Sequence, residues 1–266
     1  MTEQSADDGG GPPSYIELGE GAHRRRIAYR GRRGSSDRPG IVWLGGFRSD
    51  MRGGKASALD AHAAATGRAM LRLDYSGHGE SEGRFADGTI GLWLEDALGV
   101  IRAQTSGPQI LVGSSMGGWI ALLAARALAQ GGEAERIAAH VLIAPAVDFT
   151  ERLLWPSLPP EAKAAIERDG VWMRPSAYGD EDYPITRSLI EEGRNHLLLD
   201  TALRSWGPVH ILQGMRDPDV PFAHAMLLME HLAADPVVLT LVKDGDHRLS
   251  RDEDIARLIA AVEGVA

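Results

Sequence analysis

The chain has 266 residues, which is enough for one large α/β domain or for a domain that carries an insertion. Its net charge of −9 argues against a general nucleic-acid binder, and no apolar run is long enough to span a bilayer. Cysteine is absent, which excludes disulfides, thiol nucleophiles and cysteine-ligated metals.

The first residues, 1–13, carry acidic side chains and end in a run of glycine and proline. This composition predicts a disordered tail, with one folded domain over residues 14–266. The first fourteen residues contain no lysine or arginine, so they resemble neither a secretory signal nor a mitochondrial presequence. We therefore expect a cytoplasmic protein.

Residues 15–18 and 24–30 have the pattern of a β-hairpin joined through Gly19-Glu20-Gly21. Six arginines cluster in and just after this hairpin, which raises the possibility of a phosphate or RNA contact. Because the protein as a whole is acidic, we expect these arginines to form a solvated strand edge instead. We predict no nucleic-acid partner.

Strand and helix patterns then alternate along the chain. Short apolar runs predict buried strands at 41–44, 70–73, 109–112, 139–143, 209–212 and 237–242. The segments between them are helical in pattern, and Pro221 is expected to open one of these helices. The alternation predicts a mostly parallel sheet of about eight strands, flanked by helices on both faces.

The sequence predicts a side-chain cap at the start of three helices. Either Ser49 or Asp50 is expected to cap the first helix, and Thr89 is expected to cap the second. Ser250 and Glu253 have the spacing of a capping box at the start of the final helix.

The alternation stops between about 148 and 206. This segment is rich in tryptophan, leucine and proline, and its helical pieces are short, at 161–168 and 185–195. It is too short for a separate domain, and the sheet pattern resumes directly after it. We therefore expect a small helical cap inserted over the catalytic edge of the sheet, rather than an independent helical mini-domain.

The most informative stretch is the Gly-x-Ser-x-Gly pattern at 113–117. It follows a β-branched run and precedes an apolar helical segment, which is the strand–turn–helix order of a nucleophile elbow. Such a turn strains the backbone at Ser115, which favours glycine two positions to either side. Ser115 is therefore the candidate nucleophile, close to the free N–H groups at a helix start.

A serine hydroxyl is a poor nucleophile unless a base accepts its proton and another group orients that base. In elbow hydrolases the triad follows the order serine, acid, histidine, each at the carboxyl end of a strand. Asp217 follows the strand at 209–212, and His247 follows the strand at 237–242. We predict these two as acid and base; Asp219 is the alternative acid.

The strand at 41–44 ends in a glycine pair before Phe47, where the backbone can approach a ligand closely. We expect the backbone N–H groups of Phe47 and Met116 to form an oxyanion hole. His78 lies between two glycines, and we interpret it as structural or pocket-lining, because a single histidine without a second ligand at metal spacing is weak evidence for a metal. No metal or organic cofactor is predicted.

With these motifs, the chain resembles the α/β-hydrolases, and more narrowly the abhydrolase group of mitochondrial acyl-glucuronide esterases and palmitoyl-protein thioesterases. The motifs that carry the resemblance are Asp74-Tyr75-Ser76-Gly77, 108–115, Gly117-Gly118-Trp119, 214–217 and Asp246-His247-Arg248. The resemblance extends from about residue 40 to the final helix. It implies an α/β-hydrolase fold and the hydrolysis of carboxylic esters, acyl glucuronides or S-acyl thioesters by Ser115, His247 and Asp217.

The sequence thus predicts a serine hydrolase that cleaves a small-molecule acyl ester or thioester through an acyl-enzyme. A carbon–carbon bond hydrolase or a perhydrolase could use the same triad. A non-catalytic binding protein that keeps the fold is the alternative from another class, although an intact triad speaks against it. The acyl chain length, the leaving group and the oligomeric state stay open.

Overall fold

The computed structural model describes residues 11–35, 37–175, 182–232 and 236–265. The predicted tail therefore lies almost entirely outside the described residues. The ten strands are β1 (Ser14–Leu18), β2 (Arg25–Arg32), β3 (Gly40–Leu44), β4 (Met70–Leu73), β5 (Gln109–Ser114), β6 (Ile137–Ile143), β7 (Val171–Arg174), β8 (Tyr183–Thr186), β9 (Val209–Gly214) and β10 (Val237–Val242). The α-helices are α1 (Gly54–Thr66), α2 (Ile90–Gln104), α3 (Met116–Gln130), α4 (Trp155–Ser157), α5 (Pro160–Asp169), α6 (Arg187–Gly193), α7 (Phe222–His231) and α8 (Asp252–Gly264).

Eight strands form one sheet in the order β1-β2-β4-β3-β5-β6-β9-β10. β1 and β2 are antiparallel to their neighbours, and the other six strands run parallel. This confirms the predicted α/β fold with a mostly parallel sheet. Because the parallel strands share one direction, their carboxyl ends meet at one edge, where the loops that carry Ser115, Asp217 and His247 come together.

Helices cover both faces of this sheet, which explains why the central strands are apolar throughout. Side chains alternate along β3: Ile41 and Trp43 pack on the face covered by α1 and α8. Val42 and Leu44 pack on the opposite face, in the larger core that includes α2, α3 and α7. The nucleophile strand β5 is buried along its whole length at the centre of the sheet.

Two of the three predicted caps are wrong. Thr89 does cap α2, accepting a hydrogen bond from the Leu92 N–H at 3.2 Å. The first helix, however, begins at Gly54 with no side-chain cap, because Ser49 and Asp50 are used in the turn before it. The Ser49 hydroxyl donates to the Gly46 carbonyl, and the Asp50 carboxylate accepts from the Arg52 N–H.

At the final helix the predicted capping box is displaced by one residue. Arg251, not Ser250, is the N-cap, and its N–H donates to the carboxylate of Asp254 rather than to that of Glu253. The Asp254 carboxylate is nearly fully buried and also accepts from the guanidinium of Arg251 at 2.8 Å. The acid that faces the helix start is therefore the buried Asp254 and not the exposed Glu253.

The sequence analysis predicts a helical cap between β6 and β9, but this segment also contains strands. It holds a π-helical turn at Thr150–Leu154, the short helices α4 to α6, and an antiparallel hairpin formed by β7 and β8. The predicted helix at 161–168 is present within α5. The predicted helix at 185–195 is wrong at its start, because residues up to Thr186 pair with β7 and the Thr186 hydroxyl then caps α6.

One buried carboxylate ties together the two ends of this inserted segment. Asp148 has a positive φ of 56° in the loop after β6, and its side chain is fully buried. Its two oxygens accept hydrogen bonds from the N–H groups of Leu198 and Leu199, both at 2.8 Å. Arg152 approaches the same carboxylate at 3.4 Å, which offsets part of its charge.

The arginine-rich hairpin is present, and acidic side chains accompany most of its cations. Arg24 pairs with Glu17, and Arg30 pairs with Glu80. Arg25 donates to the fully buried carboxylate of Asp96 at 2.6 Å. These ion pairs leave little free positive charge for a polyanion. In the part of the chain that the structure describes, no helix is both long and apolar enough to cross a membrane.

Candidate active site

Ser115 lies in the sharp turn between β5 and α3, as the elbow motif predicts. Its backbone has φ 54° and ψ −119°, a strained conformation for a residue with a side chain. The Ser115 N–H donates to the Ile143 carbonyl of the neighbouring strand at 2.8 Å. A Cβ at Gly113 would lie only 2.3 Å from the Gly117 carbonyl, so the turn can close only with glycine at that position.

The structure brings the three predicted side chains together in one hydrogen-bonded chain. His247 Nε2 lies 3.1 Å from Ser115 Oγ, and His247 Nδ1 lies 2.8 Å from Asp217 Oδ2. The Asp217 side chain is fully buried, whereas the His247 side chain is 19% exposed. A proton that leaves the serine hydroxyl therefore has an acceptor within hydrogen-bond reach, and the carboxylate fixes the ring orientation.

Asp217, the acid that the sequence favours over Asp219, lies within hydrogen-bond distance of the histidine. The Oδ1 atom of Asp217 accepts hydrogen bonds from the N–H groups of Asp219 and Val220, at 2.9 and 2.8 Å. Gln213 Nε2 donates to Asp217 Oδ2 at 3.2 Å, on the oxygen that also faces His247. Sequence reasoning missed Gln213; the available signal was a polar residue at the end of an otherwise apolar strand.

The loop after β3 passes directly over the serine. A Cβ at Gly46 would lie 3.2 Å from the Ser114 carbonyl oxygen and 3.4 Å from the Ser115 Cβ, so the backbone of this loop lies close against the elbow. Phe47 follows in the same loop, and in the described part of the chain its N–H forms no backbone hydrogen bond. Met116 is the first residue of α3, so its N–H has no carbonyl partner within the helix.

His78 is buried and holds this loop in place. Its Nε2 accepts a hydrogen bond from the Arg48 N–H at 3.2 Å, and its Nδ1 lies 3.2 Å from the Ser76 carbonyl. Burial lowers the pKa of His78 to about 4, so the ring is neutral, with the proton on Nδ1. The structural interpretation of His78 therefore agrees with its contacts: it fixes the residue after Phe47.

An aromatic cluster forms one wall beside the serine. The Phe47 ring makes an edge contact with Phe85, with the ring centroids 4.8 Å apart. The inserted segment supplies Phe149 and Tyr183, whose centroids lie 5.6 and 6.0 Å from Phe47. Phe149 also packs on Trp119 of α3. The inserted segment and the loop after β3 thus share one apolar surface next to Ser115.

Asp217, Asp219 and His247 offer three ligand atoms that lie within 4.8 Å of one another, a spacing that a metal ion could use. Both ring nitrogens of His247 are engaged, one with Asp217 and one with Ser115. Asp217 accepts three further hydrogen bonds. This cluster is fully explained as a hydrogen-bond network, so we assign no metal to it.

The fold and the site define a class of protein. A sequence profile described as the alpha/beta hydrolase family matches residues 29–261, which is most of the chain. The chain belongs to that family, and its class is that of a hydrolytic enzyme.

Comparison with individual proteins shows which members of the family this chain resembles. The protein named palmitoyl-protein thioesterase ABHD10, mitochondrial, from Homo sapiens is 37% identical over 238 residues, covering 89% of this chain and 75% of the relative. A crystal structure of a putative hydrolase from Agrobacterium vitis S4 has a TM-score of 0.91 and 47% identity, over 95% of this chain and 98% of that one. The structure of alpha/beta hydrolase domain-containing protein 10 from mouse has a TM-score of 0.82 and 35% identity, over 95% and 98% of the two chains. These findings confirm the resemblance to the abhydrolase group.

Proposed function

We propose that this enzyme is a serine hydrolase that cleaves carboxylic esters or thioesters through an acyl-enzyme. The observation that carries the proposal is the continuous hydrogen-bond chain from Ser115 through His247 to Asp217. This is the arrangement by which an unreactive hydroxyl becomes a nucleophile at neutral pH.

In the first half of the reaction, His247 Nε2 accepts the Ser115 proton while Oγ attacks the substrate carbonyl carbon. The N–H groups of Phe47 and Met116 stabilise the resulting oxyanion. His247 then donates the proton to the departing alkoxide or thiolate, and the carbonyl reforms as an acyl-enzyme. In the second half, His247 accepts a proton from water, hydroxide attacks the acyl carbon, and Ser115 leaves with the proton.

The substrate that we propose is a small-molecule acyl ester or thioester with an apolar acyl group. The aromatic wall of Phe47, Phe149 and Tyr183 supports an apolar acyl group, because its rings offer apolar contact area. Similarity to proteins named palmitoyl-protein thioesterase supports a thioester among the substrates. We further propose that the inserted segment acts as a cap that selects the acyl group.

Activity-based labelling tests the proposal. A fluorophosphonate probe should label the wild type and Ser114→Ala but not Ser115→Ala, because the probe reports an activated serine. Ser114 is the matched control, since it is the neighbouring hydroxyl at the end of β5 and does not contact His247. Equal labelling of all three proteins, or of none, would refute the serine mechanism, and the second result would favour a binding protein.

A substrate panel then separates the remaining activities. p-Nitrophenyl esters and acyl thioesters of graded chain length should turn over, and Ser115→Ala should lower kcat by about 10⁶-fold. A β-diketone tests carbon–carbon hydrolysis, and peroxide with acetate tests perhydrolysis. Turnover of either in clear preference to the esters would overturn the ester assignment while keeping the triad.

We also propose that the enzyme works in the cytoplasm, without metal or organic cofactor and without a nucleic-acid partner. The net charge of −9 supports the part of this proposal that concerns nucleic acid. Fractionation of cells that express the full chain tests the location, and recovery in an organelle or membrane fraction would refute it. Activity that survives exhaustive chelation is expected, and its loss would refute the metal-free proposal.

A further inference from the structure

Lys55 reaches the loop carrying His247 from a different part of the chain. It is the second residue of α1 and is half-buried. Its ammonium donates a hydrogen bond to the carbonyl of Arg248, the residue directly after His247. The side chain therefore links a helix on one face of the sheet to the loop after β10.

This position is an unfavourable one for a cation. The first turn of a helix carries partial positive charge, which repels an ammonium group. Burial and the positive charge of Arg248 together lower the pKa of Lys55 to about 8, while Asp246 and Asp254 oppose the shift. A residue that breaks a local rule at a cost to stability points to a function that outweighs the cost.

The acidic groups around Lys55 do not form ion pairs with it. From α8, Asp254 is shared between Arg251 and Arg257, at 2.8 and 2.9 Å. From the loop, Asp246 accepts hydrogen bonds from the backbone N–H groups of Arg248 and Leu249. Within the described ranges, Lys55 has no carboxylate within 4 Å, so the Arg248 carbonyl is its main partner.

The loop needs such an anchor. Leu249 has a strained φ of 42°, and its side chain is buried in a small cavity between the loop, α1 and α8. Val242, Leu249 and Leu258 make the lining largely apolar, and the Lys55 side chain enters it from α1. No other polar group from α1 reaches this loop among the hydrogen bonds of the described residues.

We propose that Lys55 is a positioning residue for His247: by donating to the Arg248 carbonyl, its ammonium holds the histidine loop at the distance from Ser115 that proton transfer requires. The proposal rests on the proposed function, because it takes His247 to be the general base. It goes beyond that function, because it adds a cationic anchor outside the triad.

A pH dependence follows from the proposal. A protonated Lys55 is a charged donor, and deprotonation weakens its hydrogen bond to the carbonyl. Since its pKa is about 8, the anchor is intact at pH 7 and is lost as the pH rises above 8. The charged groups that face it are Arg248 and Asp246 on the loop and Asp254 and Arg257 on α8. We expect kcat to fall on the alkaline side.

Lysine-to-methionine variants make the first test, because only three lysines occur in the chain. Lys55→Met should lower kcat by roughly 10- to 100-fold with little change in KM, since a small displacement of the base slows the chemical step. Lys243→Met is the matched control, because Lys243 is exposed just after β10. It should leave kcat unchanged. Equal kcat values for both variants would refute the proposal.

Chemical restoration separates positioning from a merely structural role. The chain has no cysteine, so Lys55→Cys provides a single thiol. Reaction with aminoethyl methanethiosulfonate installs an ammonium through a disulfide, and propyl methanethiosulfonate installs a neutral chain of matched size. The amine adduct should regain most of the kcat and show the alkaline decline, and the propyl adduct should do neither. Equal recovery with both adducts would overturn the proposal.

Fluorophosphonate labelling distinguishes the two possible failures. If the wild type is not labelled at Ser115, the proposed function fails. If the wild type is labelled but Lys55→Met is labelled at the same rate and keeps its kcat, only the anchor fails. The thermal unfolding midpoint of each variant shows whether it is folded. If Lys55→Met does not fold, Lys55→Arg, which keeps the positive charge, is measured as a second variant.

Discussion

The loops at the carboxyl edge of the sheet and the inserted segment that meets them make different kinds of contact near the site. The loops are fixed by hydrogen bonds from side chains to backbone: Asp74 accepts from the Met51 and Glu80 N–H groups at 2.7 and 2.9 Å. The inserted segment instead meets the site through ring contacts of Phe149 and Tyr183. Directional bonds hold reactive groups to within fractions of an ångström, whereas apolar contacts tolerate substitution.

Under the proposed function, this difference predicts that reactivity and selectivity depend on separate parts of the enzyme. Changes in the loops should alter the rate of the chemical step for every substrate. Changes in the inserted segment should alter which acyl groups are accepted, with little effect on the smallest esters. The following predictions test that separation, beginning with the largest expected effect.

Asp217→Asn should reduce kcat by about 10⁴-fold for all esters, because an amide cannot hold His247 in the required tautomer. Asp219→Asn is the matched control, two residues away in the same loop, and should retain most of the activity. Steady-state kinetics on p-nitrophenyl acetate measures both. A large loss in the Asp219 variant with little loss in the Asp217 variant would show that Asp219, and not Asp217, orients His247.

Gly117→Ala should destabilise the fold by about 3 kcal/mol or more, because the new Cβ would lie 2.0 Å from the Leu44 carbonyl. The collision pushes the end of β3 away from the elbow, so activity should fall as well. Gly54→Ala is the control: it also lies in the first turn of a helix, with nothing within 4 Å of its Cβ position. Urea unfolding compares the two, and equal midpoints would contradict the packing argument.

Acid should weaken the fold through His78. The pKa of His78 is about 4 in the folded protein and near 6.5 when unfolded, so the unfolded state binds the proton first as the pH falls. The free energy of unfolding should therefore decrease between pH 6.5 and 4, by up to ~3 kcal/mol from this residue. His78→Gln should show a flatter pH dependence, and parallel curves for the two proteins would rule out this contribution.

Tyr183→Ala in the inserted segment should have the smallest effect on catalysis itself. It removes a ring beside Phe47, so KM for medium-chain esters should rise a few-fold, from the loss of about 1 kcal/mol of aromatic contact. The kcat for p-nitrophenyl acetate should stay near the wild-type value. A general loss of kcat would show that the inserted segment also supports the chemistry.

The sequence predicts the loops better than the inserted segment, for a physical reason. The elbow at 113–117 depends on glycine and on local strand and helix patterns, so its signal is contained within a few residues. The same holds for the strand-end positions of Asp217 and His247. Lys55 acts through a contact with Arg248, a residue distant in sequence, and no local pattern reports such a contact.

The inserted segment shows the opposite case. The strands β7 and β8 are four residues each, and their pairing depends on packing against the rest of the segment. A run such as 185–195 has helical spacing, but tertiary pairing overrides it up to Thr186. The predicted cap of the first helix was wrong for a related reason. Ser49 and Asp50 form hydrogen bonds within the turn before the helix, and residue propensities do not predict these bonds.

The carboxylate of Asp148 has a consequence for how such enzymes diversify. Since this side chain binds the backbone N–H groups of Leu198 and Leu199, it holds two points of the chain between β6 and β9 close together. Residues between these two points could be exchanged for a foreign stretch of different length without moving β6 or β9. Asp148 thus marks a position from which, under the proposed function, the inserted segment could be exchanged to change the acyl preference while Ser115, His247 and Asp217 stay in place.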